Sequence, residues 1–173
     1  EILCPSSTES TDKPSKWQVH FERTSDLGKT WTKVAPPASE MNAIQPSILF
    51  HPGGKLQAIG RSREKRLFQT WSEDGGKTWS AVTPTDVPNP NSGTDAVTLR
   101  DGRHLLVYNP TERGRSPLAL AVSRDGKSWR QVLVLEDEPK AEFSYPAIIQ
   151  TNDGLVHITY TWKRQRIKNV VLD

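Results

Sequence analysis

Three segments of the chain repeat one another: Thr24-Ser25-Asp26-Leu27-Gly28-Lys29-Thr30-Trp31, Ser72-Glu73-Asp74-Gly75-Gly76-Lys77-Thr78-Trp79 and the one-residue-shorter Ser123-Arg124-Asp125-Gly126-Lys127-Ser128-Trp129. Their aspartates stand 48 and then 51 residues apart. A period of this size marks a protein assembled from one supersecondary unit used repeatedly. A second set of marks runs between them. Pro52-Gly53-Gly54, Arg100-Asp101-Gly102 and Asn152-Asp153-Gly154 each separate two short apolar runs, and their last glycines are 48 and 52 residues apart. Glycine supplies the positive φ of a tight hairpin turn, so each of these reads as a β-hairpin.

One unit of about fifty residues therefore reads strand, glycine turn, strand, loop, strand, Asp-Gly turn, Trp-bearing strand. Four short antiparallel strands make one blade of a β-propeller. A lone blade cannot bury both faces of its sheet, so blades stack on one another. The expected units are a partial blade over 1–40, whole blades over 41–90 and 91–140, and a partial blade over 141–173. Two whole and two partial blades fall short of a closed ring. The expectation is an all-β fragment of three to four blades, completed by further blades of the same protein or by a partner chain.

Composition excludes several alternatives. The chain has 173 residues, 13 prolines, 11 glycines and 6 tryptophans. Its mean hydropathy is −0.63, and no apolar run is long enough to span a bilayer, so the chain reads as soluble. The net charge is +3 with both signs intermixed, which offers no basic stripe for nucleic acid. Cys4 is the single cysteine, so neither an internal disulfide nor a cysteine metal site is available. His20, His51, His104 and His157 share no metal-ligand spacing and read as structural.

Ser-x-Asp-x-Gly-x-Thr-Trp resembles the Asp box, or bacterial neuraminidase repeat, of the sialidase family. Within the box the carboxylate can accept backbone N–H groups across the turn, glycine takes the strained φ and Trp packs between sheets. Asp26, Asp74 and Asp125 thus read as structural, and Trp31, Trp79 and Trp129 as buried. The resemblance implies a sialidase-like propeller, six-bladed in full length. It further implies three arginines that grip a substrate carboxylate, a tyrosine nucleophile paired with a glutamate, and an aspartic acid/base, with no cofactor and no metal.

Carried over position by position, the resemblance makes Tyr145 the nucleophile. It heads a strand nine residues before Gly154. The family usually has Tyr-Ser where this chain has Ser144-Tyr145-Pro146, and a shift of two residues puts Phe143 in the slot instead. Gln45 lies nine residues before Gly54, where the family's glutamate would stand. Glutamine cannot take a phenolic proton, and Glu142 is the nearest carboxylate in sequence. Arg61 resembles the second arginine, with Arg63 as its rival. Arg115 resembles the third, with Arg113 as its rival. Asp95 stands at the entrance of an inner strand, facing the axis. Gln45, Asp95 and Tyr145 are expected to gather at one end of the central channel, with Arg61 and Arg115 in the same cleft. The first arginine and the acid/base would lie in preceding blades.

The implied activity is that of an exo-glycosidase acting on terminal acidic sugars of glycans, secreted or extracytoplasmic. A related glycosidase with another sugar, and a non-catalytic glycan-binding or interaction propeller, are the alternatives.

Overall fold

The computed structural model describes residues 1–173. Its regular structure is β throughout apart from one 3-10 turn at Pro52–Gly54. Fourteen strands form four antiparallel sheets. The first holds β1 (Ile2–Glu9), β2 (Trp17–Thr24) and β3 (Thr32–Val34). The second holds β4 (Ala43–Phe50), β5 (Leu56–Ser62), β6 (Arg66–Ser72) and β7 (Thr83–Pro88). The third holds β8 (Asp95–Thr98), β9 (His104–Tyr108), β10 (Leu118–Ser123) and β11 (Arg130–Glu136). The fourth holds β12 (Phe143–Gln150), β13 (Val156–Trp162) and β14 (Arg166–Leu172).

Each sheet pairs its strands strictly in chain order, because every connection is a hairpin between neighbours. The turns carry the expected glycines: Gly53, Gly102 and Gly154 have φ of 76°, 84° and 94°. At the Asp boxes the local chemistry repeats three times. In the second box, Asp74 Oδ1 accepts from Ser72 Oγ at 2.8 Å and from the N–H groups of Lys77 and Thr78, each at 2.9 Å. Ser72 Oγ accepts the Gly76 N–H at 2.7 Å. Asp26 and Asp125 make equivalent bonds to Thr30 and to Lys127 and Ser128. These donors stabilise the charged carboxylates and pull the pKa of Asp26 and of Asp125 down to about 2.

The sheets pack face to face in chain order, with one apolar cluster in each seam. Val19 and Phe21 of the first sheet meet Ala43, Leu56, Ala58, Phe68 and Trp79 of the second. The third sheet shows why strands here are hydrophobic on both faces. Leu106 and Tyr108 of β9 pack toward the second sheet, while Leu105 and Val107 pack toward the fourth. Side chains alternate along a strand, so a sheet with neighbours on both sides reads as a continuous apolar run. Burying each such side chain stabilises the fold by about 1.5–3 kcal/mol.

One expectation fails for a packing reason. Trp79 is buried at 6 % exposure and stacks on Phe21 of the preceding sheet, with ring centroids 3.7 Å apart. Trp129 is half-buried against the cluster of the second and third sheets. Trp31 is 49 % exposed. Trp79 packs back onto the sheet before it, and this chain places no sheet on that side of Trp31.

Candidate active site

The inner strands β4, β8 and β12 lie side by side, and their heads define one end of the molecule. Gln45 near the start of β4 and Tyr145 near the start of β12 both have left-handed backbones, with φ of 56° and 51°. A proline follows each, and the ladder to the next strand is irregular at each position. The bulge lifts the residue out of the pleat and re-aims its side chain. Tyr145 is accordingly 53 % exposed, whereas Phe143, the rival for its slot, is fully buried in the core.

Arg61, at the end of β5, donates from Nε to Asn91 Oδ1 at 2.7 Å and from Nη1 to Gln45 Oε1 at 3.4 Å. Arg115 places its guanidinium carbon 5.3 Å from the centroid of the Tyr145 ring. Arg61, Gln45, Arg115 and Tyr145 therefore come together. The phenol of Tyr145 is held below its ordinary pKa, chiefly by the Arg115 guanidinium, with burial opposing and the Arg61 charge adding. Burial in turn lowers the pKa of Arg61.

The rival arginines go elsewhere. Arg63 stacks over Trp17 with its guanidinium carbon 3.7 Å from the ring centroid and donates from Nη1 to Ser15 O at 2.6 Å. It lines a groove of about 730 Å³ whose wall includes Trp17, Lys16 and Asn42. Arg113 lies exposed in the loop before β10.

Asp95 requires a correction. Strand pairing aligns it with Ser47 and Ala147, since its partner Val107 corresponds to Ile59 and Thr159. Its Oδ1 accepts from Ser47 Oγ at 2.7 Å and from the Ala96 N–H at 2.9 Å. Its Oδ2 accepts from the Ile148 N–H at 2.8 Å. Asp95 thus ties three inner strands together, two residues further along the strand than Gln45 and Tyr145. Glu142 is likewise engaged away from the phenol. Its Oε1 accepts from Arg115 Nη1 at 3.0 Å and from Ser144 Oγ at 3.1 Å, and its Oε2 from Arg164 Nε at 2.8 Å. Arg164 most strongly depresses its pKa.

Residues outside the sequence-based set complete the cluster. Asn91 orients Arg61, Arg164 shares Glu142 with Arg115, and Trp17 lies beneath both Arg61 and Arg63, 5.1 Å from the Arg61 guanidinium carbon. Gly93 sits against Gln45 and Tyr145. It had one legible signal: like them, it stands nine residues before a hairpin glycine.

A family model described as a BNR repeat-like domain matches residues 1–158. A search of curated proteins finds no match. Among solved structures the fold is similar to the leech intramolecular trans-sialidase, with a TM-score of 0.76 at 18% identity, over 99% of this chain and 29% of that one. It is similar to the intramolecular trans-sialidase of Ruminococcus gnavus, with a TM-score of 0.74 at 19% identity, over 99% and 40% of the two chains. It is also similar to the Trypanosoma rangeli sialidase in complex with the inhibitor DANA, with a TM-score of 0.69 at 18% identity, over 91% and 27%. The chain spans between 27% and 40% of the length of these three proteins.

Proposed function

This chain belongs to the BNR repeat-like domain family, and from that premise we propose that it forms the arginine- and tyrosine-bearing part of a sialidase-like exo-glycosidase acting on terminal acidic sugars of glycans. The observation that carries the reading is the state of Arg61. Its hydrogen-bond partners are the neutral oxygens of Asn91 and Gln45, and the carboxylate of Glu9 acts on it only from beyond salt-bridge distance, so its charge is held in place without a carboxylate in contact. A partly desolvated cation in that state favours an incoming anion. The guanidinium fork matches a carboxylate through two parallel hydrogen bonds. Arg115, beside the same phenol, supplies the second arm.

In this reading Tyr145 gives its phenolic proton to solvent water, the phenolate Oη held by the two guanidinium groups bonds to the anomeric carbon as the bond to the leaving oxygen breaks, and that oxygen takes a proton from an acid outside this chain. Water then releases the sugar from tyrosine with retention. A neutral phenol suits a substrate that carries its own negative charge. Because Gln45 cannot accept the phenolic proton, the neighbouring guanidinium groups are the phenol's means of activation. We assign the four sheets to blades over 1–40, 41–90, 91–140 and 141–173, in a ring that other blades of the same protein or a partner chain complete.

Hydrolysis of a fluorogenic sialoside by the whole protein, abolished in Tyr145→Phe, is the expected result. Gln45 favours a second reading, a glycan-binding propeller or a glycosidase for another acidic sugar. Binding of sialosides without turnover selects the binder. Turnover of a different acidic glycoside selects the relative. Absence of both binding and turnover of acidic sugars overturns the proposal.

A further inference from the structure

Gln45, Gly93 and Tyr145 occupy the same place in three successive units, nine residues before Gly54, Gly102 and Gly154. The two with side chains hold left-handed backbones, which disfavour a residue bearing a Cβ by roughly 1–2 kcal/mol. Gly93 lies outside that region of φ, so its conformation does not call for glycine. Space does. A Cβ on Gly93 would stand 3.2 Å from Tyr145 Cδ1 and 3.3 Å from Gln45 Oε1, tighter than ordinary van der Waals contact, so the phenol or the amide would have to shift. The middle unit has no side chain at the position where its neighbours on either side turn theirs inward.

The backbone of that segment is firmly held. The N–H of Asn89 donates to Lys65 O at 3.0 Å, and its Nδ2 to Ser92 O at 2.9 Å. Ser92 Oγ donates to Asn109 Oδ1 at 2.7 Å. Asn109 Nδ2 donates to Pro117 O at 2.9 Å and to Phe143 O at 3.2 Å, two residues before Tyr145. Asn89, Ser92 and Asn109 are fully buried. Asn89 Oδ1 alone finds no partner, and the other bonds of this buried network rigidify their surroundings. Asn91, within the same stretch, receives the Arg61 Nε–H. One short segment between β7 and β8 thus touches the phenol on one side and an arginine on the other.

We propose that Gly93 and Asn91 are positioning residues of the acidic-sugar site: the vacant side-chain position at Gly93 sets how closely Tyr145 approaches its neighbours, and Asn91 aims the Arg61 guanidinium. The inference rests on the reading of Tyr145, Arg61 and Arg115 as that site, yet its test does not depend on turnover. The phenol of Tyr145 senses Arg115 and Arg61, so its titration reports their placement.

Ultraviolet titration of the whole protein, with the matching Tyr145→Phe variant subtracted, isolates this one phenol. Gly93→Ala is expected to raise its midpoint toward the ordinary tyrosine value. Asn91→Gly keeps the left-handed backbone and adds no volume. It is expected to raise the midpoint by less and to weaken binding of the inhibitor DANA by about three- to ten-fold, the loss of a hydrogen bond that orients a charged group. A merely structural role lowers the melting temperature and leaves the midpoint where it was. An unchanged midpoint in both variants, or in Asn91→Gly alone where Gly93→Ala does not fold, overturns the proposal. If the midpoint moves while the parent protein binds no DANA, the positioning role stands and the acidic-sugar reading falls.

Discussion

Arg61 and Arg115 approach the same phenol from two different sheets, and their surroundings differ. Arg115 already shares Glu142 with Arg164, whereas Arg61 rests on neutral oxygens. Hydrogen bonds to a charged group contribute about 1.5–3 kcal/mol each, and 1.4 kcal/mol is a decade in affinity. Arg61→Ala and Arg115→Ala should therefore each weaken binding of a sialic-acid analogue by roughly ten-fold or more in calorimetric titration. Lys at either position should recover only part, because it lacks the two-pronged geometry. Tyr145→Phe should leave that affinity nearly intact and remove turnover. Parent-like binding in both alanine variants would end the carboxylate-clamp reading. Gln45→Glu places a carboxylate beside Arg61 and next to the phenol. The expected outcome is weaker analogue binding, through pairing with Arg61, together with faster turnover per bound substrate. Weaker binding with no gain in turnover would argue against Tyr145 as the nucleophile.

The Asp-box hairpin holds itself in shape through bonds spanning two to four residues, but its tryptophan depends on a neighbouring sheet. Trp79 fills the seam against Phe21, and deleting a large aromatic side chain from such a site costs about 3–5 kcal/mol. Trp31 occupies the same place in its box, bonded from Nε1 to Gly28 O at 3.1 Å, and stands largely in solvent. Trp31→Ala should lower the melting temperature far less than Trp79→Ala when both are measured in denaturant or heat. Equal losses would mean that the tryptophan acts through its own hairpin rather than through the adjoining sheet.

Acid should act on the whole molecule in two steps. His104 is 1 % exposed in the seam between the second and third sheets, with its Nδ1 2.9 Å from Thr98 Oγ1 and the His51 ring 4.5 Å away. Burial, with the His51 charge adding, pushes its pKa down from 6.5 to about 4. The unfolded chain takes up this proton near pH 6.5 and the folded chain resists it until about pH 4. Stability is therefore fully present above the unfolded value, declines as pH falls below it, and has lost about 3 kcal/mol from this group by the folded value. The Asp-box carboxylates act lower down: their depressed pKa values stabilise the fold above about pH 4, and that contribution disappears as pH falls toward 2. Melting temperature followed from pH 8 to 3 should show both declines, and His104→Gln should flatten the upper one alone. A melting temperature that holds level between pH 7 and 4.5 would contradict the assignment.

The repeat period, the hairpin glycines and the Asp-box chemistry were legible in the amino-acid order because each depends on residues close together in the chain. Asp74 is satisfied by Ser72, Lys77 and Thr78, and a positive φ at Gly102 needs nothing beyond its own turn. Tyr145 was legible as a strand head for the same reason, and Gln45 as its counterpart two units earlier. What lay between them was not. Asp95 looked like a site residue from its place in the chain, yet its carboxylate is occupied by Ser47, 48 residues before it, and by the backbone of Ile148, 53 residues after it. Arg61 lies at the end of β5 and Arg63 just past it; both lie over the ring of Trp17, and the bond to Ser15 O, 48 residues earlier in the chain, draws Arg63 aside. The exposure of Trp31 and the vacant position at Gly93 follow the same rule. Each is set by what an adjoining sheet does or does not place against it, and that sheet is a whole unit away in the chain.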